Sequence, residues 1–141
     1  MQKNIPQIDI KPVSTRFDLL TGELVSFLEN GMLPVTKTAL IAYASECSKF
    51  ETRIISIKSE LSITKSELSR DFRSHYKRVY QSTNLGQKWE TKISVDMDPT
   101  ISDITMNLDK LGAMLSVLED FKWTLKSNRD IAKDYVFHLS E

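Results

Sequence analysis

The chain has 141 residues, 40% of them hydrophobic, and balances 19 basic against 19 acidic side chains, which suits one domain with a modest core and leaves no overall charge to name a partner. Its single cysteine, Cys47, excludes an internal disulfide and a cysteine-rich metal cage and fits a reducing, cytoplasmic setting. The polar, proline-broken start has neither the apolar core of a signal peptide nor a basic amphipathic pattern, and no stretch approaches the roughly 20 apolar residues of a membrane helix, so a soluble protein with no membrane partner is expected.

Residues 1–13 contain Pro6 and Pro12, and Ile8 and Ile10 alternate with polar neighbours, the pattern of an extended N-terminal arm. Residues 14–141 then read as one helical domain. Thr15 and Asp18 have capping-box spacing, and Phe17, Leu20, Leu24, Phe27 and Leu28 repeat at helical intervals up to Asn30-Gly31, which predicts a first helix over 15–30. Thr36 is placed to cap a second helix over 37–81. Within it Cys47, Ile54, Leu61 and Leu68 are seven apart, and Leu40, Ala44, Phe50, Ile57 and Phe72 fill the three- and four-residue steps. Such a helix spans roughly 67 Å and cannot bury its stripe alone.

Residues 82–98 form the connection. Trp89, Thr91, Ile93 and Val95 alternate with polar residues, the period of a short strand. Asp98-Pro99 is a strong helix start, with a capping carboxylate before a proline at the first helical position, and it opens a heptad helix over 99–139. Its seam runs through Ile101, Ile104, Leu108, Leu111, Leu115, Leu118, Leu125, Ala132, Val136 and Leu139, interrupted by Lys122 and Arg129. Gly112 beside the seam suggests close backbone approach by a partner. The expected fold is therefore mainly all-α: a long antiparallel helical hairpin with an N-terminal helix and a short strand in the connection. Met114, Phe121 and Tyr135 widen the apolar face of the last helix. With Leu111, Leu115, Leu118 and Leu125 they mark an oligomerisation surface, unless the first helix covers the same face within one chain.

The neutral total conceals two blocks: residues 49–92 carry ten Lys and Arg against five acids, and residues 93–121 carry one Lys against six acids. The densest basic stretch holds Arg70, Arg73, Lys77, Arg78, Lys88 and Lys92, interleaved with Tyr76 and Trp89. Single-stranded nucleic acid is bound by such a mixture, in which cations neutralise phosphates and flat rings stack on bases. Arg70, Arg73 and Lys77 share one helix face. The same charges also suit a solvated helix end, where the macrodipole favours cations. Asp96, Asp98 and Asp103 flank a helix start, where negative charge is stabilising, and lack calcium-loop spacing. His75 and His138 have no nucleophile or carboxylate at diagnostic spacing, and no phosphate loop or zinc motif occurs. No enzyme, metal or cofactor is expected.

The segment Arg73-Ser74-His75-Tyr76, the helix start Val95-Asp96-Met97-Asp98-Pro99, and Leu125-Lys126-Ser127-Asn128-Arg129-Asp130-Ile131-Ala132-Lys133 together resemble the UvsY-like recombination mediators of T-even-type bacteriophages, over roughly residues 40–138. The first forty residues have no counterpart there. The resemblance implies a ring-forming homo-oligomer in the host cytoplasm that binds single-stranded DNA. It would help a RecA-like recombinase displace a single-strand-binding protein during recombination, repair and replication. The alternative is a helical scaffold or assembly protein with no nucleic-acid role, whose charges only set register.

Overall fold

The computed structural model describes residues 8–29, 33–83 and 86–139, and these are all-α: α1 (Lys11–Leu28), α2 (Lys37–Thr83), α3 (Lys88–Asp96) and α4 (Pro99–His138). None of these helices is long and apolar enough to cross a membrane. The long helices α2 and α4 run antiparallel. Arg129 pairs with Glu51 near one end, Lys58 with Glu119 in the middle, and His75 faces Asp98 at 3.6 Å near the other. The end at which α3 links α2 to α4 is the tip, and the opposite end, where α1 lies, is the base.

The heptads explain the pairing. Leu40, Cys47, Ile54, Leu61 and Leu68 of α2 and Ile104, Leu111, Leu118, Leu125 and Ala132 of α4 are seven apart within each helix, and all are buried. A strict seven-residue repeat keeps both stripes facing each other along a left-handed crossing, and each fully buried leucine contributes about 1.5–3 kcal/mol of transfer free energy. Thr36 caps α2 through its hydroxyl, which accepts from Ala39 N at 3.2 Å, and Asp98 caps α4 by accepting from Thr100 N and Ile101 N at 3.0 and 3.1 Å. Both starts are those the sequence predicts.

Three expectations need correction. First, α1 begins at Lys11, inside the expected arm, and Thr15 does not cap it: the Thr15 hydroxyl donates to Lys11 O, while Asp9 Oδ1 accepts from Lys11 N at 2.9 Å. Pro12 sits in the first turn, where its missing N–H costs nothing, so it starts the helix rather than ending an arm. Residues 1–7 of the arm, and Asn30-Gly31 at the expected helix end, lie outside the described residues. Second, residues 89–95 are helical. Thr91 and Val95 are buried against α2 one turn apart, and Trp89 and Ile93 face out; a lone strand here would leave its backbone groups without a ladder.

Third, most of the expected assembly row is internal. Leu111, Leu118 and Leu125 are fully buried in the hairpin, and Met114, Leu115 and Phe121 pack half-buried against the same core; of the seven, Tyr135 alone is exposed. Val13, Leu20 and Leu24 of α1 are buried in that core too, with Phe17, Phe27 and Leu28 beside them, so α1 covers the apolar width that the hairpin leaves open. Gly112 likewise faces space rather than a close neighbour: a Cβ there would meet only Lys65 Nζ, at 3.7 Å. Gly112→Ala is expected to stabilise the fold by about 0.5–1 kcal/mol through helix propensity, read as a higher denaturation midpoint in urea.

Candidate nucleic-acid interface

The tip is built from the last turns of α2, from α3, and from the start of α4. In α2 the seam ends at Leu68, and Phe72, Tyr76 and Tyr80 follow one turn apart. Their rings lie 5.5 and 6.3 Å apart, so a half-buried aromatic ladder replaces the aliphatic core where α3 packs. Burial raises the Tyr76 phenol above its ordinary range, and the Asp96 carboxylate at the end of α3 raises it further.

Arg70, Arg73 and Lys77 lie on the opposite side of α2, roughly 140–200° around the helix from Leu68, and are exposed. Arg78 projects from one flank, with Nη2 3.1 Å from His75 Nδ1. Lys88 and Lys92 are exposed on α3, on successive turns. Trp89 is 63% exposed beside them, which makes it the ring of the expected set that is open for stacking, whereas Tyr76 is committed to the ladder.

Ion pairing is uneven along the molecule. Arg16 pairs with Glu60, Lys49 with Glu46, Arg53 with Glu23, Lys58 with Glu119 and Arg129 with Glu51, whereas Lys11, Lys37, Lys65, Lys110, Lys126 and Lys133, spread over the rest of the surface, form no ion pair among the described residues. Hydrogen bonding to Lys58 is the main reason the Glu119 carboxyl is held below its ordinary range. Among the described residues, Arg70, Arg73, Lys77, Arg78, Lys88 and Lys92 form no ion pair with any carboxylate. The nearby Asp98 is occupied by the α4 cap and His75, and Asp96 by Tyr76. An unpaired cation held at an exposed face costs nothing to present to an anion, since no internal salt bridge must break first.

The polar network at the base has no counterpart in the sequence reading. Asn128 Nδ2 donates to Tyr43 Oη at 3.1 Å, and Cys47 lies beside Tyr43, with Glu51 and Arg129 one turn further on. Burial pushes the Cys47 thiol up to about 11 and also raises Tyr43, so neither is a nucleophile at neutral pH. The signal was present in the interruption of the seam by Arg129, which a charged partner on the facing helix resolves. No family model matches the chain, and no curated protein or solved structure matches it.

Proposed function

We propose that this protein binds single-stranded DNA across the outer face of the tip, and that it serves as a recombination accessory protein helping a RecA-like recombinase displace a single-strand-binding protein. The observation that carries the DNA-binding reading is the clustering of unpaired cations: six stand together at the tip without an ion pair, beside the exposed Trp89, while the arginines Arg16, Arg53 and Arg129 and Lys58 elsewhere are neutralised within the chain. Arg70, Arg73 and Lys77 follow one helix face, so a phosphate backbone can run along α2 while a base stacks on the indole of α3. The mediator role rests on the resemblance of residues 40–138 to the UvsY-like family.

A fluorescence-anisotropy titration with labelled single-stranded DNA tests the binding. Neutralising about five phosphates gives a slope of about −3.5 in a plot of log affinity against log salt, so a fourfold rise in salt weakens binding about 100-fold. Absence of binding at low salt, or an affinity indifferent to salt, would return the tip charges to the role of a solvated helix end and favour the scaffold reading.

A further inference from the structure

The outer face of α2, diametrically opposite its buried seam, carries Ile41, Ser45, Ser48, Thr52, Ser56, Ser59 and Ile63, all exposed. Spaced four, three, four, four, three and four residues apart, they stay within roughly 80° of one another around the helix and form a straight stripe about 33 Å long. Read in either direction the stripe is the same: Ile, Ser, Ser, Thr, Ser, Ser, Ile. Beyond its two ends, at equal distances from Thr52, stand Lys37 and Glu67, opposite charges that form no ion pair among the described residues. A sequence that is its own reverse, with complementary charges beyond its ends, is what an isologous contact requires, because a two-fold axis places residue i against j and j against i.

From this symmetry we infer that a second copy of the chain packs on this face, α2 against α2 and antiparallel, with the two-fold axis passing between the Thr52 residues. Each Ile41 then meets the partner's Ile63, each Ser45 the partner's Ser59, each Ser48 the partner's Ser56, and each Lys37 the partner's Glu67.

Two further features fit this occupant. At one end of the stripe lies an open apolar groove of about 330 Å³, lined by Ile41, Ala44, Ser45, Ser48, Lys133 and Val136. The partner's Ile63, 58% exposed on its own chain, arrives at that level. Most charges that flank the stripe are already paired within the chain, Glu46 with Lys49, Arg53 with Glu23 and Glu60 with Arg16 on one side, Glu51 with Arg129 and Lys58 with Glu119 on the other, so close approach strands none of these. The Ser48 and Thr52 hydroxyls donate to carbonyls of their own helix and need no partner across the contact.

Cysteine cross-linking of the full chain, without nucleic acid, tests the contact independently of the DNA-binding reading. Helices that meet through serines approach to about 8 Å between axes, which brings the two Thr52 positions within disulfide reach. Thr52→Cys is expected to give a disulfide-linked dimer under mild oxidation, while buried Cys47 keeps the parent chain monomeric on a non-reducing gel. Ser45→Cys alone is expected not to cross-link, because its two copies lie about 21 Å apart along the axis, yet to cross-link with Ser59→Cys when the two variants are mixed. In sedimentation, Lys37→Glu weakens the dimer and Lys37→Glu with Glu67→Lys restores it. A monomer at high micromolar concentration, Thr52→Cys without cross-link, or Ser45→Cys cross-linking to itself would each overturn the proposal.

Discussion

Replacing Arg70, Arg73, Lys77, Arg78, Lys88 and Lys92 together with alanine is expected to lower affinity for single-stranded DNA about 3,000-fold at 0.1 M salt and to flatten the salt dependence, with helicity and melting unchanged. Each neutralised phosphate adds about 0.7 to the salt slope for single strands, which at this salt is about fivefold in affinity, and about five such factors multiply to the total. The fold does not register the change because all six side chains are exposed and close no internal ion pair. Trp89→Ala separates the second component. Stacking contributes about 1–3 kcal/mol per base and releases no counterions, so affinity falls while the slope is kept. A control variant with Lys110, Lys126 and Lys133 replaced by alanine changes net charge away from the tip and is expected to leave the slope intact. Anisotropy titrations at several salt concentrations read all three variants. If the tip variant matched the parent chain, the tip cations would be a solvated helix end and the DNA site would have to be sought elsewhere.

How far the sequence reveals this structure depends on whether the signal is a period or a balance between partners. The two heptad stripes are periods. Leu40 to Leu68 and Ile104 to Ala132 can be read as seams from spacing alone, and Thr36 and Asp98 as caps from residue type, because geometry permits few alternatives. Residues 88–96 are harder. The alternation Trp89, Thr91, Ile93, Val95 contains both a strand period and two four-residue steps, and only the presence of the α2 end as a packing surface, with no strand among the described residues to pair with, decides for a helix. Competition between partners decided the assembly row as well: Met114, Leu115 and Phe121 are apolar enough for either a second chain or the chain's own core, and they pack on the core that α1, α2 and α4 share. For the basic cluster, sequence supplied the residues but not their availability. That Arg70 and Lys77 are unpaired while Arg53 and Lys58 are neutralised follows from long-range pairing with Glu23 and Glu119, 30 and 61 residues away.

The pair between Arg129 and Glu51 makes the largest single electrostatic demand on the fold. Their side chains are 23% and 14% exposed, beside the buried seam residues Cys47 and Ala132, and Arg129 Nε has no hydrogen-bond partner, the Asp130 carboxylate standing 3.7 Å away. Removing one partner leaves the other charge in a poorly solvated position, so Glu51→Gln or Arg129→Met alone is expected to destabilise the protein by about 3 kcal/mol, at the lower end for a buried pair because some solvent reaches both groups. The double replacement Glu51→Leu with Arg129→Met removes both charges and fills the space, and is expected to regain most of that loss or exceed it. Its effect should fall on uniqueness instead. A charged pair at one level of two seven-residue stripes opposes slippage of α4 along α2 by a heptad, which the apolar seam residues on either side, Cys47 and Ile54 on α2 and Leu125 and Ala132 on α4, oppose less strongly. Urea denaturation of the two single variants and the double gives the coupling energy. Amide exchange along α4 shows whether the double variant holds one register, and equal protection in the double variant and the parent chain would mean that Asn128 with Tyr43 and the Lys58–Glu119 pair already fix it.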